Sequence, residues 1–142
     1  MADGVLGVEV GKIVTFTKPI TARDVELFAE VSGDNQPLHL NDAVAAKTRF
    51  KKRIAHGILT AGVISAAIGT KLVPNGIAIY LSQTLQFQRP VLLGDTITAR
   101  LEVMALDTER RRATLKTECT NQRNETVLTG EATVMLDAFR DS

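Results

Sequence analysis

The sequence predicts an α+β protein in which a long antiparallel sheet wraps one buried central helix, and three observations carry the prediction. Gly57 to about Leu72 is apolar nearly all round, and a helix without a polar face belongs inside a fold rather than on its surface. After Pro74-Asn75-Gly76 the pattern changes to β-rich runs with partial alternation, long enough together to enclose such a helix. No repeat, low-complexity segment or linker divides the 142 residues, so residues 1–142 are expected to form a single domain.

In chain order, Lys12 to Thr17 mixes Ile13, Val14 and Phe16 with two threonines and reads as a short first strand. Thr21 opens a helix, with Asp24 three residues on as the acidic partner in a capping box. Val25, Phe28, Ala29 and, at the end, Val31 form its expected buried stripe, and Gly33 is placed to stop it in the left-handed conformation. Asp34 to His39 is then expected as loop, with Pro37 pushing Gln36 toward an extended backbone. Asn41 to Ala46 reads as a second short helix, and a basic connector leads from it to Ile54 and the apolar helix. There Gly57, Ala61, Ser65 and Gly69 recur every four residues, a small-residue face that a sheet or a ligand can approach closely. Ile77 to Gln88, Thr96 to Ala105, Arg112 to Thr120 and Thr126 to Leu136 are expected as the strands of a meander. Gly94-Asp95 reads as a hairpin signal, and Asp107 to Arg111 and Gln122 to Glu125 as the other two turns.

The charge balance points away from two kinds of partner. Net charge is +1 and the basic residues are dispersed, so neither a nucleic acid nor an acidic tail is indicated. The densest clusters, Lys51-Lys52-Arg53 and Arg110-Arg111-Arg112, read as solvated loops or turns, with phosphate contacts to a nucleotide-bearing ligand as the alternative. The single cysteine, Cys119, allows no internal disulfide and no CxxC metal site, and reads as a packed strand residue in a reducing setting. Met1 to Lys12 lacks a basic start followed by an apolar core, so no secretory leader is expected. Ile54 to Leu81, the most apolar region, is interrupted by His56, Lys71, Pro74 and Asn75 and is not read as a membrane span. A soluble, cytoplasmic protein is expected.

Two places can carry chemistry. His39 follows Asp34 by five residues in a segment bounded by Gly33 and stiffened by Pro37, and a carboxylate beside an imidazole can hold a water, take a proton and return one. The plainer alternative makes Asp34 a turn residue and His39 a satisfied polar side chain. His56-Gly57 precedes the apolar helix, where free N–H groups and the helix dipole favour an anionic oxygen and Gly57 lets a carbonyl come close. Alternatively, Gly57 serves close packing of helix on sheet.

Together these residues resemble a family pattern. Ser32-Gly33-Asp34-Asn35-Gln36-Pro37-Leu38-His39 resembles the hydratase 2 signature of the MaoC-like family (small, small, Asp, any, Asn, Pro, aliphatic, His). Ala55-His56-Gly57-Ile58-Leu59 resembles its His-Gly segment at the start of the central helix. Ile79-Tyr80-Leu81, Leu85-Gln86-Phe87 and Pro90-Val91-Leu92-Leu93-Gly94-Asp95 resemble the strand and turn beyond. The likeness runs from about Val10 to Leu136, and within the family it is to the (R)-specific enoyl-CoA hydratases that supply polyhydroxyalkanoate synthesis. It implies a hot-dog fold, a homodimer with sites near the interface, and no metal or organic cofactor, coenzyme A being part of the substrate. It also implies that Asp34 and His39 bind the water added to a trans-2-enoyl thioester, with His39 as base and Asp34 as acid toward C2. The Gly57 N–H would polarise the thioester carbonyl, Ser65 would lie close to the pair, and Ile68 would line the acyl pocket.

The pattern departs at one position, where Gln36 stands in place of the signature's Asn before the proline. Its extra methylene moves the amide, which bears on rate or substrate more than on reaction class. The same site suits the reverse reaction, a (3R)-hydroxyacyl-thioester dehydratase on coenzyme A or acyl carrier protein. A hot-dog thioesterase needs a carboxylate on or near the central helix, and Gly57 to Lys71 has none. A non-catalytic acyl-CoA-binding module has no need of the Asp34–His39 pair. Arg53, Lys71 and Arg89 are the candidate contacts to coenzyme A phosphates.

Overall fold

The chain runs β1 (Ile13–Pro19), α1 (Ala22–Ser32), α2 (Pro37–Leu40), α3 (Asp42–Ala46) and α4 (Gly57–Ala67), the last continued by a π-helical turn (Ile68–Leu72). Then come β2 (Gly76–Gln83), β3 (Gln86–Phe87), β4 (Thr96–Asp107), β5 (Arg112–Thr120) and β6 (Thr126–Ala138). These elements belong to a computed structural model that describes residues 4–140; the ends of the expected domain, including the start of the Met1 to Lys12 segment, lie outside the described residues. All six strands form one antiparallel sheet in the order β1-β4-β5-β6-β2, with β3 also on β6.

The sheet's inner face follows from period-2 alternation. Ile97, Ala99, Leu101 and Val103 of β4, Ala113, Leu115 and Cys119 of β5, and Ala132, Val134 and Leu136 of β6 are all buried. They share one core with Val63, Ile64, Ala67, Ile68 and Leu72 of α4 and its extension. Each fully buried Leu, Ile or Val contributes about 1.5–3 kcal/mol, so helix and sheet hold each other by their apolar faces. This is the expected hot-dog arrangement.

Helix α1 begins and ends as its sequence implies. Thr21 Oγ1 accepts from Asp24 N at 3.1 Å while Thr21 N donates to Asp24 Oδ2 at 2.9 Å. Gly33 sits at φ 84°, in the left-handed region, and its N–H donates to Ala29 O. Val31, however, is 86% exposed. At 100° per residue it lies about 200° around the helix from Ala29, off the stripe that Val25 and Ala29 bury.

Five other expectations need correction. Asp34 to His39 is not all loop, because Pro37 occupies the first turn of α2 and its fixed φ starts that helix. The run Ile77 to Gln88 is two strands. Thr84 interrupts it, donating its N–H to Glu131 O at 2.9 Å, and its own carbonyl lies where a Cβ on Gly130 would be, 1.9 Å away. That run also leaves the meander: only β4, β5 and β6 follow one another, while β2 crosses to the far side of β6. Gly94-Asp95 therefore closes a tight turn leading into β4, with Asp95 N donating to Leu92 O at 3.0 Å, and not a hairpin. Finally, α4 is not buried all round. Ile58, Gly62, Ser65 and Gly69 form an open stripe at helical spacing.

Candidate active site

The turn between α1 and α2 carries the acid. The Ser32 hydroxyl donates to Phe28 O at 2.6 Å and accepts from Asp34 N at 3.0 Å, so the end of α1 sets the course of the chain into Asp34. Asp34 Oδ1 in turn accepts from Gln36 N at 3.3 Å, closing the segment on itself just before Pro37. Asp34 stays exposed, whereas His39, one turn into α2, is 7% exposed.

The imidazole of His39 is held on three sides. Its Nδ1 lies 2.7 Å from Ile54 O, and a carbonyl only accepts, so Nδ1 carries a proton and Nε2 is the nitrogen left to face the pocket as the lone-pair site of that tautomer. Arg53 Nε donates to His39 O at 2.7 Å, which pins the backbone beneath the ring. His56 stacks on the ring with centroids 4.0 Å apart and planes at 29°. His56 is itself 3% exposed and donates from Nε2 to the Asp34 carbonyl at 2.8 Å.

These groups meet in a pocket of about 290 Å³ lined by Asp34, His39, His56, Gly57, Phe28 and Ile58, among others. A carboxylate oxygen of Asp34 and a ring nitrogen of each histidine lie within 4.8 Å of one another. One water, at about 2.8 Å from each of two partners, spans such a gap. Gly57 opens α4, and His56 at its N-cap offers the helix no side-chain bond, so the first-turn N–H groups remain available to a ligand oxygen. Both readings of Gly57 find support, since a Cβ there would sit 2.6 Å from the Phe87 ring.

The residue types and spacing at Asp34, His39 and His56 could also hold a metal. The two rings stack, and each sets one nitrogen against a backbone carbonyl, an arrangement that fixes ring orientation whether the other nitrogen meets water or an ion.

Other expected residues fall elsewhere. Ser65 lines a second pocket, of about 380 Å³, with Ala61, Gly62, Tyr80 and Leu81, and is not among the residues around Asp34 and His39. Ile68 is a core residue at 3% exposure and lines neither the Asp34–His39 pocket nor the Ser65 pocket. Of the three candidate phosphate contacts, Arg53 is engaged by His39 O, Lys71 is exposed, and Arg89 lies 3.6 Å from Glu125. Arg89 also lines a third pocket, about 480 Å³, which shares Gly57 and Ile58 with the Asp34–His39 pocket and holds Arg49 and Phe87. Sequence reasoning gave Arg49 and His56 no role. For His56 a signal existed, as it is the only other histidine and stands directly before Gly57. Cys119 is buried on β5, and burial, with Glu118 beside it, pushes its thiol up to about 12, so it is a packing residue rather than a nucleophile.

Fold and site together define a hot-dog protein with an acid–imidazole pair at the mouth of its central helix. Residues 8–127 match the MaoC like domain, and the chain belongs to that family. It is 49% identical to a 3-hydroxybutyryl-CoA dehydratase of Methylorubrum extorquens, over 89% of this chain and 79% of that protein. An (R)-specific enoyl-CoA hydratase of Rhodospirillum rubrum is 46% identical over 90% of this chain and 88% of its own. Among solved structures, the R-hydratase PhaJ1 from Pseudomonas aeruginosa superposes with a TM-score of 0.86 at 47% identity, covering 93% of this chain and 84% of that one. Among the described residues, no helix is long and apolar enough to cross a membrane.

Proposed function

We propose that this chain is an (R)-specific enoyl-CoA hydratase, a carbon–oxygen lyase that adds water to trans-2-enoyl-CoA and yields (3R)-hydroxyacyl-CoA. The observation that carries the reading is the meeting of Asp34 and His39 within one water's span beside the N-terminus of α4. His39 Nε2 takes a proton from that water as its oxygen bonds to C3. Asp34 delivers a proton to C2, and the proton left on the imidazole returns to the carboxylate through the next water. The Gly57 N–H donates to the thioester oxygen and stabilises the charge that gathers there during the addition. The relatives' names support the substrate class. They also support the reverse direction, since the same residues serve dehydration of a (3R)-hydroxyacyl thioester.

No metal or organic cofactor takes part in this reading. The enzyme works as a homodimer. The open stripe of α4 (Ile58, Gly62, Ser65, Gly69) and the apolar edge strand β2, with Ile77, Ile79 and Leu81 each about 40% exposed, offer a second copy both a helix face and a sheet edge. A cytoplasmic setting suits the free, buried thiol of Cys119.

The test is a double-mutant cycle on kcat/KM. If Asp34 and His39 grip one water, Asp34→Asn and His39→Ala each cost at least about 10²-fold, and the double variant is little worse than either. Penalties that multiply, or an Asp34→Asn variant within about tenfold of the parent, would mean that the two do not share a water.

A further inference from the structure

We infer that His56 is a positioning residue, tying the water-holding pair to the carbonyl-polarising end of α4; the inference rests on the hydratase reading above. The mechanism gives this buried imidazole no proton to move. Its Nε2 proton is committed to the Asp34 carbonyl at 2.8 Å, and its Nδ1 is sealed from solvent with no partner. Packing alone does not account for it either. A phenyl ring would fill the same space against Phe28 and His39 without burying an unpaired nitrogen, which weakens a fold.

What the imidazole adds is a fixed distance. His56 is the residue before Gly57, so its bond to Asp34 O joins the backbone of the acid to the residue bearing the oxyanion donor. The base is anchored to the same short segment, because His39 Nδ1 donates to Ile54 O and the His39 ring rests on the His56 ring. That segment is fixed in turn to the loop before β4, with Ala55 N donating to Val91 O at 2.7 Å. Acid, base and oxyanion donor, drawn from three separate elements, thus share one support at residues 54–57. Without the His56–Asp34 bond the Asp34 turn is free to shift against Gly57, and a displacement of about 1 Å in such a site can cost 10²-fold in rate.

The experiment compares His56→Gln, His56→Asn and His56→Phe with the parent in the hydration of trans-2-butenoyl-CoA, each variant first checked for native circular dichroism. The glutamine amide nitrogen reaches the place of Nε2, whereas asparagine is too short and phenylalanine has no donor. Expected is a kcat within about tenfold of the parent for Gln and a loss of about 10²-fold for Asn and Phe, with KM within about threefold throughout. Equal kcat in all three variants, or a loss that falls on KM, overturns the inference. If the Phe variant does not fold, the Gln–Asn pair decides alone. An active parent with an inactive Asp34→Asn variant separates that failure from failure of the hydratase reading, which an inactive parent would bring down.

Discussion

At the scale of single residues, the pair Asp34 and His39 was legible because both sit in one short motif, five residues apart. What the motif did not reveal is how each is held. The tautomer of His39 depends on Ile54 O and the course of Asp34 on His56, contacts that span 15 and 22 residues. Ser65 and Ile68 are placed apart from the pair in the single chain. Both lie on the helix that the pattern implied, yet Ser65 faces a different pocket and Ile68 faces the core. Ile68→Ala is therefore expected to lower stability by about 2–5 kcal/mol, since it opens a cavity among well-packed side chains. If that cavity joins the acyl site, the variant also accepts longer chains. The ratio of activity on octenoyl- and crotonyl-CoA measures this, and an unchanged ratio in a folded variant removes Ile68 from the pocket.

At the scale of elements, signals confined to one turn of chain read correctly. The capping box of α1 and its glycine stop need only neighbouring residues. The break between β2 and β3 was invisible because its cause, the missing side chain of Gly130, stands on another strand. The start of α1 also makes a prediction about pH. Burial pushes the Asp24 carboxyl up, but the Lys18 ammonium at 2.8 Å and the Thr21 bonds outweigh it and hold the group below its ordinary range. A carboxyl lowered on folding stabilises the fold fully above its unfolded value, about 4, and loses that contribution as pH falls through the lower folded value. Asp24→Asn should cost about 0.5–1 kcal/mol at neutral pH. The gap from the parent in urea denaturation should close with acidification, and a gap that is constant down to the acid limit would argue against the ion pair.

At the scale of the whole molecule, the class of fold followed from one apolar helix and a run of strands, but their order did not. Which edge β2 joins is decided by contacts distant in sequence, and the turn at Gly94-Asp95 looks the same whether or not its flanking strands pair. The all-apolar character of α4 misled for a related reason. It marks surface that must be covered, and in the single chain one stripe is left open. Ile79→Lys, a charge on the edge of β2, is expected to shift a dimer to monomers in sedimentation equilibrium and to lower activity with it; an unchanged dimer would place the interface elsewhere. The central claim is that the chain, without a metal, makes the (3R)-alcohol from an enoyl thioester. The direct measurement follows loss of enoyl-thioester absorbance on adding the protein to trans-2-butenoyl-CoA in the presence of a chelator, with the product passed to (R)- or (S)-specific hydroxyacyl-CoA dehydrogenases. Rapid loss with turnover by the (R)-specific enzyme alone is the expected result. No loss, loss that requires added zinc, or strong turnover by the (S)-specific enzyme would contradict it.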